Sequence, residues 1–352
     1  YRTVDGGATW TRLEEGLPDG DLGRIGLDIY RRDGNLIFAT VEARRDQTGV
    51  YASTDGGDSW EKISATNPRP MYFSQIRVDP NDPERIYVGG QNLMRSDDGG
   101  RTFTEDGARN VHLDHHALWI DPNDSDHLLL GSDGGISASF DRSESWRFYN
   151  NLPIAQFYEI GFDYRNPYWV CGGLQDNGSW CGPTNTLDSQ GVRNADWEHV
   201  GGGDGFYVRI DPTDPSVVYA ESQNGAIRRL DTETGERTSI QPVPRVELDE
   251  GSIPKKEYAS ADDPDPETRQ YRFNWNTPMV LSAHDPNTIY VGGQMLLKST
   301  DRGLNWTQIS SDLTFDIDRS QLPIMDVLPS DSMLARHDGV TFYSTVTTLS
   351  ES

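Results

Sequence analysis

Four carboxylates, Asp204, Asp114, Asp176 and Glu42, stand in short polar turns next to side-chain amides and aromatic rings. Carboxylate pairs held about 5–10 Å apart cleave glycosidic bonds as acid and base or nucleophile. Around them fall His115, His116, Gln175, Asn177, Tyr207, Asn274, Trp275 and Asn276. Amides that bond hydroxyls and rings that cover apolar faces are what a sugar or an extended peptide requires. The same residue types also cap turns and pack between strands, and taken singly each fits that structural reading. His112, Asp114, His115 and His116 invite a metal, but adjacent residues of a strand point to opposite faces, so His115 and His116 cannot easily share one ion. The Asp-rich turns lack the spaced oxygen ligands and terminal Glu of a calcium loop. No Ser-His-Asp or Cys-His arrangement can be assembled, and Gly201–Gly205 is followed by no Lys-Ser/Thr pair or helix, so it is not a phosphate loop. Neither a metal nor a cofactor is expected.

The elements that position these residues repeat. Ser/Thr-x-Asp-x-Gly-x-x-Trp/Phe runs from Thr3 to Trp10, Ser53 to Trp60, Ser96 to Phe103 and Ser299 to Trp306, with a worn copy from Ser139 to Trp146 in which Ser143 replaces the glycine. Its structural residues are Asp5, Trp10, Asp55, Trp60, Asp98, Phe103, Asp141, Trp146, Asp301 and Trp306. The Asp and Ser side chains suit bonds to backbone N–H groups inside a hairpin turn, glycine supplies the positive φ, and the aromatic packs back beneath the turn. A second signature, apolar-x-Asp-Pro followed by a strand such as Ile86–Gly90, recurs at Asp79, Asp121, Asp211 and Asp285, with a degenerate copy at Asp163. It reads as a strand end, a Pro turn and a new strand. Successive boxes begin 50, 43 and 43 residues apart. That is the period of a four-stranded propeller blade.

The fold expected is therefore all-β: a β-propeller of four-stranded antiparallel blades, about six nearly complete, with partial blades at both ends. Residues 1–18 read as the end of a preceding blade and 19–313 as the six blades. A surface insertion is expected near 241–272, and 314–352 reads as a connection plus the first strand of a following blade at Tyr343–Leu349. All of it, 1–352, belongs to one propeller assembly. Topology places the candidate residues on one face, where first strands begin and second strands turn into third, and both repeated signatures on the other. Cys171 and Cys181 flank Asp176-Asn177-Gly178, a strong hairpin signal, so a disulfide across facing strands competes with two buried thiols.

Composition agrees with short strands and tight turns: 35 Gly, 20 Pro, 9 Trp and 15 Tyr against 6 Met. A formal charge of −25, spread as turn aspartates, repels nucleic-acid phosphate and anionic lipid. No run approaches the length of a membrane span.

The boxes Ser53–Trp60 and Ser299–Trp306 resemble the BNR or Asp-box repeats of sialidases, xyloglucanase-type glycoside hydrolases and sortilin-type receptors. Asp114–Pro122, Gly173–Pro183 and Phe273–Pro278 are similar to segments of large exported bacterial proteins described as sortilin-like or xyloglucanase-like repeat proteins. The likeness runs over essentially the whole chain. It implies a parent with further blades, which are this chain's partners, and an extracytoplasmic address: secreted, periplasmic or cell-surface. In the enzymes that carry them such boxes are structural, so no active residue transfers from them. The Arg-Ile-Pro motif of sialidases and the cysteine-rich module of sortilins are absent, and no motif places a xyloglucanase acid pair on named positions. Two functions follow: an exported module that binds a glycan or peptide, or serves as a scaffold, and, as the alternative, a glycoside hydrolase using two carboxylates.

Overall fold

The computed structural model describes residues 1–152, 154–243, 271–336 and 343–352. The chain is all-β, its strands gathered in sequence order into six antiparallel sheets, five of four strands and one of three. These are the propeller-type blades, here numbered 1 to 6 over residues 25–64, 76–96, 115–148, 157–201, 208–239 and 279–308. The three-stranded sheet is blade 2, where an isolated bridge between Arg95 and Thr104 stands in for the fourth strand. The chain divides into two compact units, Tyr1–Pro153 with Asp331–Arg336, and Ile154–Ser330 with His337–Ser352. Blades 1–3 belong to the first unit and blades 4–6 to the second. Within the insertion expected at 241–272, residues 244–270 lie outside the described residues. Residues 343–352 run beside blade 6 without a ladder of their own. Val346 N–H donates to the Gly293 carbonyl (2.8 Å), and Glu351 accepts from the Ser282 hydroxyl and the Ala283 amide (both 2.9 Å).

In both units the core lies between blades. Second strands are apolar on both faces because each is covered on both sides. Ile86 and Val88 pack on Phe38 and Val50 of blade 1, while Tyr87 between them joins Leu118, Leu128 and Leu130 of blade 3. In the second unit Val208, Ile210 and Val218 of blade 5 cover the Cys171–Cys181 pair of blade 4, and Met279, Ile289 and Val291 of blade 6 cover Tyr219 and Ile227. Each such side chain contributes about 1.5–3 kcal/mol on burial.

The box turns explain their sequence. In blade 1 the Ser53 hydroxyl accepts from Gly57 N–H (2.8 Å) and donates to Asp55 (2.7 Å), whose carboxylate also takes the Ser59 amide (2.9 Å) and hydroxyl (2.6 Å). The worn copy makes the same bonds, with Ser143 held at φ 72° to donate to Ser139 (2.9 Å). The aromatics do not all sit beneath their own turns. Trp10 and Trp60 donate to the carbonyls of Gly7 and Gly57, but Trp146 and Trp306 reach back to the outer edge of the preceding blade, at Gly107 (3.0 Å) and Ile240 (2.8 Å). Trp10 is 59 % exposed. Two box arginines at positive φ also reach backward. Arg142 of blade 3 pairs with Asp82 and Asp79 of blade 2, and Arg302 of blade 6 with Asp211 (3.5 Å) and Thr213 (2.9 Å) of blade 5.

Candidate functional site

Backbone bonds sort the loops of each blade into two ends. At one end the box turn is tied to the turn between strands one and two, as by Gly99 N–H to Glu84 O and Arg302 N–H to Asn287 O (both 2.9 Å). At the other, here the entry end, the start of the first strand meets the turn between strands two and three, as by Asp133 N–H to Asp114 O (3.2 Å) and Gln175 N–H to Gln156 O (3.0 Å). The candidate residues occupy the entry ends.

In the second unit the entry of blade 5 docks on the hairpin of blade 4. Gly205 N–H donates to Leu174 O and Gly178 N–H to Gly203 O (both 2.9 Å), and Asp204 Oδ1 accepts from Asp176 N–H (2.6 Å). The glycines are there for close approach. A Cβ on Gly173 would stand 2.2 Å from the carbonyl carbon of Gly205, and one on Gly205 2.4 Å from the Gly178 oxygen. Gly203-Asp204-Gly205 is thus a joint between backbones. Asp204 is buried and committed to that joint, beside Asp176, which holds φ 61°. Asn177 is exposed, and its carbonyl receives Trp180 Nε1–H (2.8 Å).

Blade 6 enters in turn on blade 5. The Trp275 carbonyl accepts Asn224 N–H (3.2 Å), while the Trp275 side chain remains 38 % exposed; Asn274 accepts Asn276 N–H (3.2 Å) and donates to Thr345 (3.0 Å). Thr277 N–H donates to Glu221 Oε1 (3.2 Å). The sequence pattern does not single out Glu221, yet its carboxyl is the most perturbed here, pushed up to about 9 by burial against the opposing pull of the Thr277, Tyr207 and Gly225 amides. Burial also raises the Tyr207 phenol and lowers the Arg209 guanidinium, with Glu159 the foremost charge acting on both. The available signal is positional: Glu221 stands where the second strands of blades 2, 3 and 6 place Gly89, Gly131 and Gly292.

In the first unit Asp114 (φ 64°) ties its amide to Gln91 O (3.1 Å), and Glu42 is buried with Oε2 accepting Arg24 N–H (2.8 Å). His115 points inward. It is 2 % exposed, its Nδ1 has no hydrogen-bond partner among the described residues, and burial first, then His112 and His116, lowers its pKa to about 4. It lines a small cavity with Gln75, Arg77 and Tyr87. His116 stacks on Phe73 (5.0 Å), meets Tyr72 edge-on (4.9 Å) and lies 3.4 Å from Asp133. Arg69 covers Tyr72 at 4.4 Å. Sequence order hides the Arg69–Tyr72 partnership because it comes from the preceding blade. The four candidate carboxylates thus fall two to each unit, and among the described residues no group of three or more His, Cys, Asp or Glu is placed to hold a metal ion.

Cys171 and Cys181 are directly paired across their hairpin and joined by a disulfide. No helix among the described residues is long and apolar enough to cross a membrane.

No family model matches the chain. It is 27 % identical over 165 residues to an oligoxyloglucan-reducing end-specific xyloglucanase of Emericella nidulans, covering 41 % of this chain and 19 % of that protein. It is 22 % identical over 339 residues to a xyloglucanase of Paenibacillus sp, covering 88 % of this chain and 29 % of that one. The chain thus spans less than a third of either relative. Among solved structures, a Niastella koreensis GH74 enzyme aligns with 80 % of this chain and 37 % of its own at 14 % identity and a TM-score of 0.31.

Proposed function

We propose that the chain is a glycan-binding segment of an exported propeller protein, with the sugar contacted at the blade entry ends. The observation that carries this is Trp275, whose indole stays exposed while its own carbonyl and the flanking Asn274 and Asn276 are fixed by hydrogen bonds. A half-exposed ring on a segment held by its flanking amides offers a sugar a stacking face at low ordering cost. Tyr207, Asn177 and Gln175 extend the set within the same unit; the first unit presents His116 at an entry end of its own, whereas His115 is buried and turned away from solvent. The xyloglucanase names of the relatives support a glycan over a peptide, and a buried disulfide supports an oxidising, extracytoplasmic address.

The second reading is a glycoside hydrolase, favoured by those same names. Asp204, Asp176, Asp114 and Glu42 are its candidates. Asp204 and Glu42 already accept backbone amides, which suits them to positioning more than to proton transfer.

Titration calorimetry with plant and microbial oligosaccharides, paired with a reducing-sugar assay, tests both. Trp275→Ala is expected to abolish binding while leaving the melting temperature within about 2 °C. Unchanged binding by Trp275→Ala refutes the site. Binding retained by Asp204→Asn with sugar release lost moves the assignment to hydrolysis.

A further inference from the structure

Where blade 6 enters on blade 5, buried oxygens outnumber the hydrogens offered to them. Glu221 is 1 % exposed, and its Oε2 has no hydrogen-bond partner among the described residues. The side-chain oxygens of Asn224 and Asn276 are buried and unpartnered in the same sense. The two segments are tied at two points, Asn224 N–H to Trp275 O and Thr277 N–H to Glu221 Oε1, both 3.2 Å. Asn276 lies between those points. Buried oxygens left unpartnered are costly, and an ionised carboxylate among them is costlier still.

We propose that Glu221 is carried as a neutral carboxylic acid whose O–H donates to the Asn276 side-chain oxygen, a proton-dependent latch that fixes Trp275 and Asn276. The chosen acceptor follows from the chain: Thr277 holds one oxygen of the carboxyl, so the adjacent residue is best placed to meet the other. The surroundings agree: Glu159 and Glu221 both raise the Tyr207 phenol, which Arg209 opposes, and the 274–277 segment carries no charge. Burial raises the Glu221 carboxyl in the same direction. Removing the proton would take away the donor to Asn276 and leave a charge in the buried junction, releasing the segment that bears Trp275. The consequence for sugar affinity rests on the proposed function; the latch does not, and it is tested without ligand.

The experiment compares the intact chain with Glu221→Gln and Asn276→Ala. Infrared difference spectra at pH 7 should show a protonated-carboxyl band in the parent that is missing in Glu221→Gln and shifted in Asn276→Ala. Amide exchange at residues 274–277, corrected for intrinsic rate, should lose protection by up to about tenfold per pH unit between 4.5 and about 9 and level off above that, with no such loss in Glu221→Gln. Absence of the band in the parent overturns the latch. So do parallel exchange profiles in parent and Glu221→Gln, or an unmoved band in Asn276→Ala. If Glu221→Gln does not fold, the parent's pH series and Asn276→Ala decide the question.

Discussion

Gly173→Ala isolates the joint between blades 4 and 5. The added methyl would lie 2.2 Å from the Gly205 carbonyl carbon and 2.3 Å from both the nitrogen and oxygen of Phe206. Ordinary van der Waals contact begins near 3.4 Å. All three obstacles are backbone, so no side chain can swing away, and relief requires the blades to part by about 1 Å. That displacement strains three bonds across the joint: Gly205 N–H to Leu174 O, Gly178 N–H to Gly203 O and Asp176 N–H to Asp204. Overpacking costs about 1–3 kcal/mol and each weakened bond about 0.5–1.5 kcal/mol, so the expected loss is about 3–5 kcal/mol. For a unit of this size that lowers the melting temperature by about 10 °C. Gly202→Ala supplies the control, since its added methyl would meet nothing within 4 Å and its φ is not in the left-handed range. Urea and thermal unfolding followed by tryptophan fluorescence measure both. Ordinary surface substitutions stay within about 0.5 kcal/mol of the parent. If Gly173→Ala differs from Gly202→Ala by no more than that, the glycine-rich motif is not a packing joint.

The box aspartates Asp5, Asp55 and Asp98 are held at about 2 by bonds from neighbouring hydroxyls and amides, and Asp141 and Asp301 are lowered likewise. Their folded values lie below the ordinary carboxylate range, so their stabilisation is full above about pH 4 and lost as pH falls through 2. Acid unfolding should shift to higher pH in Asp55→Asn and Asp301→Asn, and coincident acid transitions with the parent would refute this. Glu221 has the opposite sign. With its carboxyl raised from 4.5 to about 9, the contribution of the protonated form is full below 4.5 and declines by about 1.4 kcal/mol per pH unit toward 9. Glu221→Gln should therefore gain on the parent as urea titrations move from pH 5 to pH 9, and a constant difference would contradict it. The Cys171–Cys181 bridge closes a short loop and contributes about 2–3 kcal/mol; both sulfurs are buried, so thiol labelling under mild reductant should wait on unfolding. Rapid labelling of native protein would show the bridge exposed or unformed.

The blades are legible in the sequence because two turns of each carry their own chemistry. Asp55 and Ser53 satisfy a hairpin from within, and Asp79-Pro80 ends a strand, so counting those marks locates sheets without knowing what they pack on. What lies between blades is hidden for the converse reason. Glu221 reads as an ordinary polar residue at a strand end until the Thr277 segment of the next blade closes over it. His115 and His116 are adjacent in sequence, yet the strand alternation that argues against a shared metal buries one in a cavity and stacks the other on Phe73. The local motif puts Trp146 and Trp306 under their own turns, but neighbouring edges at Gly107 and Ile240 offer carbonyls at better reach. Spacing of boxes likewise carries no mark of the division into two units near residue 153.

Some bonds that cross from one blade to the next within a unit join the same address on each: Arg142 to Asp79 and Arg302 to Asp211 at one end, His115 to Gly90 and Val346 to Gly293 at the other. Bonds of this kind depend little on which repeat stands on either side, so copying one blade's worth of gene would re-create them at the new border. What does not transfer is the junction's own detail, such as Glu221 under Thr277, and a change there disturbs two neighbouring blades at once. Residues 343–352 are laid on blade 6 by the bond that His115 uses on blade 2, so the same coupling serves a segment that carries no sheet ladder among the described residues.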